Sequence, residues 1–78
     1  MGLFKTHTKE LYCVVAPMTT SRSGPYIALH TISGTHVSRI LQSFPAGKIL
    51  RVYEVENGFG KVSRFKEIWV PMKDLTRV

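Results

Sequence analysis

The spacing of turn-forming residues constrains the fold of this chain more than any other feature. Clusters of Gly, Pro, Ser and Asn recur at intervals of roughly 8 to 12 residues, which is typical of short consecutive strands. These clusters are Ser23-Gly24-Pro25, Ser33-Gly34, Pro45-Ala46-Gly47, Asn57-Gly58 and Pro71. The segments between them are rich in β-branched and aromatic residues, which suit a pleated surface. The sequence therefore predicts an all-β fold of about five strands, at residues 11–16, 40–44, 48–55, 59–63 and 68–70.

Residues 37–44 admit a second interpretation. Their apolar side chains fall at i, i+3, i+4 and i+7, the stripe of an amphipathic helix. These residues are Val37, Ile40, Leu41 and Phe44. Pro45 leaves room for only about two helical turns before it. A strand is therefore favoured here, and a short helix stays open.

Asn57-Gly58 is the strongest hairpin signal, because Asn and Gly tolerate the positive φ angles of a type I′ turn. A two-residue turn would pair Glu54 with Lys61. One face would then carry Tyr53, Val55 and Val62. A longer or bulged loop would exchange the faces and turn Phe59 outward. Its core residues would be Leu50, Val52 and Val62, and the residues of the hairpin leave both registers open.

The chain has room for one compact domain. It has 78 residues, 44% hydrophobic and 21% charged, and a chain of this size folds around a single core. We expect residues 1–10 to be an N-terminal extension with scope for flexibility and residues 11–78 to form the domain. Cys13 is the only cysteine, so packing must stabilise the fold without an internal disulfide.

No segment predicts a membrane span or an export signal. The longest apolar run, residues 11–18, is broken by Pro17 and falls well short of the roughly 20 residues that cross a bilayer. No apolar stretch with a cleavage site follows Lys5 and Lys9. As encoded, the chain is expected to be cytoplasmic. The alternatives are a fragment of a larger exported protein and a phage product released by lysis.

The chain has no recognisable catalytic or metal-binding pattern. Cys13 with His30 or His36 comes nearest to a nucleophile and its base, but Cys13 lies in an apolar run, where a thiol behaves as a small hydrophobe. Together with His7 these residues fit no compact zinc spacing. Residues 58–60 lack the Lys and the strand-to-helix context of a phosphate loop. We therefore predict a protein that is not an enzyme and holds no metal or cofactor.

The formal charge of +6 is unevenly distributed. Residues 1–53 hold six Lys or Arg against one acidic residue, and the remaining residues hold five against four. Such an excess favours an acidic partner. A solvated basic surface that only confers solubility is the alternative.

Four segments, in order, resemble the bacterial Src-homology-3 family. Residues 21–25, Ser-Arg-Ser-Gly-Pro, keep the core of the family's first loop. Residues 40–52 are similar to its second strand, tight turn and third strand. Residues 57–62, Asn-Gly-Phe-Gly-Lys-Val, resemble the segment that follows, with Phe where the family prefers Trp. Residues 69–75 resemble its Trp-Val-Pro ending with a short helix.

The resemblance implies a small Src-homology-3-like barrel with a short 3-10 turn near the C-terminus. It also favours the hairpin with the longer or bulged loop, which has Leu50, Val52 and Val62 inside and Phe59 on the outer surface. Trp69 is then expected at a strand edge, half buried. Members of the family bind the peptide cross-bridges or stems of peptidoglycan in a groove under the first loop, which is long here at residues 26–39. By position, the implied ligand-binding residues are Arg22, Tyr26, Phe59, Trp69 and Pro71.

The leading hypothesis is thus a non-catalytic module that binds a peptide or peptidoglycan, and two other functions stay open. The first is a basic barrel that binds nucleic acid, with cations on phosphates and aromatic rings stacked on bases. Its face would consist of Lys48, Arg51, Tyr53, Lys61 and Arg64. The second is a protein-interaction or assembly domain whose exposed strand edge accepts a partner. The sequence leaves the oligomeric state open.

Overall fold

The computed structural model describes the backbone of residues 6–7 and, in full, residues 9–26 and 39–78. Nine strands occur in these residues. They are β1 (Thr6–His7), β2 (Leu11–Val14), β3 (Met18–Arg22), β4 (Ile40–Pro45), β5 (Ile49–Arg51), β6 (Glu54–Glu56), β7 (Phe59–Lys61), β8 (Trp69–Pro71) and β9 (Leu75–Arg77). A single 3-10 turn, Met72–Asp74, joins β8 to β9. The predictions of an all-β fold and of a 3-10 turn near the C-terminus are confirmed.

The strands form two antiparallel sheets. The larger sheet has six strands in the order β1-β6-β7-β8-β3-β4, and the smaller has three in the order β5-β2-β9. Neither sheet closes on itself through the described strands. The prediction of about five strands undercounts them, because β1, β3 and β9 were not foreseen and the predicted strand 48–55 is two strands, β5 and β6. The described residues include no helix that is long and apolar enough to cross a bilayer.

Both sheets contribute to one hydrophobic core. The core cluster is Val14, Phe44, Leu50, Val52, Val70 and Leu75, with Tyr12, Val55, Val62 and Met72 packed against it. Val52 and Val70 are completely buried, and full burial of such a side chain contributes about 1.5–3 kcal/mol. Gly60 faces this core, and a Cβ there would lie 3.0 Å from Cγ1 of Val52. Only Gly therefore allows β7 and Val52 to approach this closely.

The predicted strand 48–55 is two strands, because the chain passes from one sheet to the other within it. The N–H of Val52 donates to the carbonyl of Glu10, 3.0 Å away, beside the smaller sheet. The next N–H, of Tyr53, donates to Lys61 at 2.8 Å in the larger sheet. This corner at residues 52–53 separates β5 from β6.

The hairpin between β6 and β7 has the tight two-residue turn. Asn57 has a φ of 52° and Gly58 a φ of 79°, as a type I′ turn requires, and Glu54 pairs with Lys61. The longer or bulged loop favoured by the sequence is therefore wrong. So is the outward position of Phe59, which is only 8% exposed. The core positions predicted for that register are nevertheless confirmed: Leu50 and Val52 lie in the core, and Val62 packs against it. This is possible because the corner at residues 52–53 interrupts the alternation of inward and outward side chains between β5 and β6.

Residues 40–45 form a strand, so the strand interpretation is confirmed for that part of the segment; residues 37–38 lie outside the described residues. β4 pairs with β3 through a bulge in which Leu41 and Gln42 stand opposite the single residue Ser21. The buried Ser21 hydroxyl accepts from the N–H of Gln42 and donates to its carbonyl, both at 3.1 Å. A side chain thus supplies the hydrogen bonds that the bulge removes from the ladder.

The 3-10 turn is joined to the start of β3. The hydroxyl of Thr19, a buried residue, donates to Oδ2 of Asp74 at 2.6 Å. The N–H of Val15 donates to the carbonyl of the same Asp74 at 2.9 Å. These two bonds connect the end of the chain to the β2–β3 connection.

Candidate ligand-binding site

A row of paired residues crosses the larger sheet. The pairing register aligns His7 with Glu54, Glu54 with Lys61, Lys61 with Trp69, Trp69 with Arg22 and Arg22 with Ile40. Directly opposed residues in antiparallel strands share one face of the sheet. Val70 belongs to the core cluster, so its neighbour Trp69 lies on the opposite face. We call this second side, which carries Glu54, Lys61, Trp69 and Arg22, the Trp69 face.

Trp69 lies inside the sheet. It is 2% exposed and is paired on both sides, to Lys61 in β7 and to Arg22 in β3. The expectation of a half-buried Trp69 at a strand edge is therefore wrong. The side chain of Trp69 is buried because β8 has a paired strand on each side and is covered on both faces.

The indole N–H of Trp69 already has a hydrogen-bond acceptor within the protein. Its indole Nε1–H donates to Oε1 of Glu67 at 2.9 Å, and Oε2 of Glu67 lies 3.3 Å from the ammonium of Lys61. The ammonium also lies 6.0 Å from the centre of the Trp69 ring and 3.8 Å from Glu54. Because a buried ammonium needs opposite charge beside it, these contacts explain why Lys61 is only 8% exposed.

Arg22 differs from Lys61 in lacking such compensation. Its Nη1 atom is buried and has no hydrogen-bond partner in the part of the chain that the structure describes. Leaving a buried donor unpaired costs roughly 1–3 kcal/mol, and more for a charged group. Arg22 therefore carries an uncompensated donor on the Trp69 face, beside the Trp69 ring.

The other implied ligand residues lie at one end of the same face. Phe59 pairs with Pro71, and each stands two residues along its strand from a member of the row. Asn57 donates its side-chain amide to the carbonyl of Pro25 at 3.2 Å, which brings the bend at residues 23–26 to the hairpin turn. Tyr26 ends this bend and is 36% exposed. The structure thus brings four implied residues onto one face, with Tyr26 at its margin.

The alternative nucleic-acid residues do not form one surface. Arg51 lies in the smaller sheet and donates through Nη1 to the carbonyl of Lys9 at 2.6 Å. Lys61 lies in the larger sheet, buried between two carboxylates. Tyr53 and Arg64 come together, with the guanidinium 5.5 Å from the ring centre. Lys48 is exposed directly before β5.

The described residues contain no candidate catalytic or metal-binding site. No three His, Cys, Asp or Glu side chains are grouped there in a way that could hold a metal ion. Cys13 is half buried, and its thiol lies 3.5 Å from the carbonyl of Val14. His30 and His36 lie outside the described residues, so the expectation of a protein without catalysis or metal stays a prediction.

The sequence interpretation missed an apolar surface on the smaller sheet. Leu11, Ile49 and Val78 are 38%, 47% and 74% exposed. Cys13 pairs with Ile49, and the N–H of Val78 donates to the carbonyl of Leu11 at 3.0 Å, so these residues are neighbours. The signal was present in the run from Leu11 to Val15, because an unbroken apolar strand indicates that both of its faces avoid water.

Two further residues were missed in the loop before β8. Glu67 completes the contacts of Lys61 and Trp69, and Phe65 is 87% exposed. Phe65 had a signal, since it stands between Arg64 and Lys66. The role of Glu67 had none, because a charge in a loop is usually solvated.

No protein-family model, curated protein or solved structure matches this chain. The function must therefore be inferred from the contacts described above.

Proposed function

We propose that this protein is a non-catalytic binding module with an Src-homology-3-like architecture that takes a peptide ligand, of the class found in peptidoglycan stems and cross-bridges. The order of the strands supports this architecture. The segment that resembles the first loop of the family begins in the last two residues of β3, a tight hairpin joins β6 to β7, and a 3-10 turn precedes the last strand. The two sheets face each other across one core.

The uncompensated Nη1 of Arg22 is the observation that carries this proposal. A ligand carboxylate or carbonyl that reaches the guanidinium recovers the free energy lost by burying the donor unpaired. Peptides supply both groups, and stem peptides end in a carboxylate. Phe59 and Trp69 form a buried apolar floor beside Arg22, with the half-buried Pro71 on the same face and the exposed Tyr26 at its margin. Few polar groups placed among apolar ones are typical of ligand sites.

An amide NMR titration with soluble peptidoglycan fragments tests the proposal. We expect shifts at Arg22, Tyr26 and the Asn57-Gly58 turn that persist at physiological salt. Arg22→Ala should abolish them. Arg39→Ala is the matched control, because Arg39 is an exposed cation beside the same end of β3, and it should bind normally. Shifts that survive Arg22→Ala would show that Arg22 is not the anchor.

A short single-stranded oligonucleotide serves as the second ligand in the same titration. Binding to it alone, lost as salt rises, would replace the peptide proposal with the nucleic-acid one, since phosphate contacts are strongly salt-dependent.

A protein-interaction role is the second candidate, and the apolar surface of the smaller sheet favours it. Leu11, Ile49 and Val78 are exposed next to one another on a single face. Contiguous exposed apolar surface marks interaction sites in soluble proteins. The mass of the protein measured by light scattering over a range of concentrations tests this candidate. Self-association that Ile49→Lys abolishes and Ile40→Lys does not would support an interaction between copies of this chain. A monomer at every concentration would exclude such self-association.

A further inference from the structure

The loop between β7 and β8 presents the most exposed large hydrophobic residue that the structure describes. Phe65 is 87% exposed, so its ring contributes almost nothing to the packing of the fold. Truncating a side chain this exposed is normally tolerated without loss of stability. Its position at the loop apex therefore has no structural explanation within the described residues.

Hydrogen bonds hold the loop in one shape. At its base, the N–H of Val62 donates to Ile68 at 2.8 Å, and the N–H of Ile68 donates to Lys66 at 2.9 Å. Inside the loop, the N–H of Lys66 donates to the hydroxyl of Ser63 at 3.1 Å. A loop that is already ordered loses little conformational entropy when it binds. The ring of Phe65 is therefore held in its exposed position before any ligand binds.

Cations flank the ring on both sides. Arg64 and Lys66 are both exposed, and Arg64 is held 5.5 Å above the ring of Tyr53. The nearest acidic residue in the chain, Glu67, is paired with the ammonium of Lys61 and with the indole of Trp69. The positive charge at the apex is therefore not cancelled by that carboxylate.

From this geometry we propose that the segment Arg64-Phe65-Lys66 is a docking tip for anionic lipid membranes. The ring of Phe65 enters the boundary between headgroups and acyl chains, and the two cations contact the anionic headgroups. An aromatic ring flanked by basic residues has the chemistry of that interface, where apolar burial and attraction to anionic lipids act together.

A membrane fits the tip better than a nucleic acid does. Single-stranded nucleic acid is bound along a basic groove with successive rings available for stacking. Here the face of Tyr53 is covered by Arg64, which leaves Phe65 as the free ring of this loop. A single protruding ring suits a soft layer that it can penetrate. The docking goes beyond the proposed peptide site, because none of the implied peptide-binding residues lies within residues 64–66.

The expected binding is weak and reversible. Each basic residue near an anionic surface strengthens binding about fivefold, and burial of one aromatic ring strengthens it about tenfold or more. Such contributions fall short of stable anchoring, which needs two independent signals. The attraction is also screened within a Debye length, so it weakens at high salt.

Co-sedimentation of the full chain with lipid vesicles tests the proposal. We expect binding to vesicles of phosphatidylcholine with phosphatidylserine, and much less to phosphatidylcholine alone. Phe65→Ala should lower the partition about tenfold, and Lys66→Ala about fivefold. The matched controls are Ile40→Ala, an exposed aliphatic side chain in β4, and Lys48→Ala, an exposed cation elsewhere. Both should bind as the unaltered protein does.

A Phe65→Trp variant gives an independent readout of insertion. Its added indole should shift its emission to the blue on anionic vesicles and be quenched by brominated lipid, whereas Trp69 is buried and stays unchanged. Anionic-vesicle binding that Phe65→Ala leaves intact would overturn the proposal, because the charge of the whole chain would then suffice. Failure to bind the vesicles, or Phe65-dependent binding to an oligonucleotide instead, would overturn it as well.

Discussion

The two faces of the larger sheet are both buried, but different forces bury them. On the core face, Val70 packs with Val52 and other aliphatic side chains from both sheets. On the Trp69 face, an aromatic ring lies among charged groups that neutralise one another, with Lys61 held by Glu54 and Glu67. The core face is stabilised by shape complementarity, whereas the Trp69 face is stabilised largely by the pairing of opposite charges around Lys61.

The comparison shows which face of a small β-sheet domain is suited to bind a ligand. On the core face, the buried hydroxyls of Thr19 and Ser21 already donate to Asp74 and Gln42, and any gap in this face is destabilising. The Trp69 face accommodates polar groups, and among the described residues the Nη1 atom of Arg22 on this face has no hydrogen-bond partner. Four substitutions test this difference between the faces.

The largest expected effect is on the Trp69 face. Trp69→Ala removes a ring that is 2% exposed and should lower the free energy of unfolding by about 3–5 kcal/mol. Urea denaturation measures it, with Phe65→Ala as the exposed aromatic control. Should Trp69→Ala fail to fold, Trp69→Phe keeps the apolar bulk and should lose about 1–2 kcal/mol with the bond to Glu67. Equal losses for Trp69→Ala and Phe65→Ala would show that this face is not a packed layer.

On the core face, Gly60→Ala should destabilise by about 1–3 kcal/mol through overpacking. The added Cβ lies 2.5 Å from Sδ of Met72, which can move, and 3.0 Å from Cγ1 of Val52, which is fully buried. The control is the double variant with Val52→Ala, which opens space for the Cβ. Its loss should be smaller than the sum of the single losses, and additive losses would contradict the clash.

A smaller effect is expected at the bond between β3 and the 3-10 turn. Thr19→Val keeps the shape of the side chain but removes the donor to Asp74, so it should cost about 1–2 kcal/mol. Thr20→Val is the matched control, since Thr20 points to the Trp69 face and is half buried. Thermal denaturation compares the two variants. Equal midpoints would mean that the Thr19 bond contributes nothing.

The smallest effect should have the opposite sign. Arg22→Met keeps the stem of the side chain and removes the unpaired donor, so it should raise the free energy of unfolding by up to about 1 kcal/mol. The same variant should lose the NMR shifts with peptidoglycan fragments. A protein destabilised by Arg22→Met would show instead that the guanidinium already has favourable contacts.

Local chemistry explains which parts of the fold could be predicted. The tight turn at Asn57-Gly58 was one of two registers considered, and the backbone angles of these two residues decide it. The corner at residues 52–53 could not be foreseen, because Val and Tyr suit a strand in either sheet. Their partners, Glu10 and Lys61, are set by the tertiary fold.

The missed strand β3 illustrates the same limit. Its sequence, Met-Thr-Thr-Ser-Arg, is mostly polar, yet Thr19 and Ser21 are buried. They are satisfied by Asp74 and Gln42, which lie far along the chain. No pattern within the strand reveals such partners.

The sequence predicted which residues make up the candidate site but not how deeply they are buried or what they contact. The resemblance placed Arg22, Trp69 and Pro71 together, and the strand register does bring them to one face. Their burial was misjudged, because a sequence does not show that a sheet is covered on both sides. Glu67 escaped notice because its two partners are strand residues whose side chains only the fold brings to it.

The corner at residues 52–53 has a consequence for how the protein opens. Two consecutive amides, of Val52 and Tyr53, are bonded on the sides of different sheets, so neither sheet can separate without moving the peptide unit that anchors the other. The fold should therefore lack an independently opening subdomain. Hydrogen exchange at these two amides should then give one common protection factor, set by the opening of the whole domain.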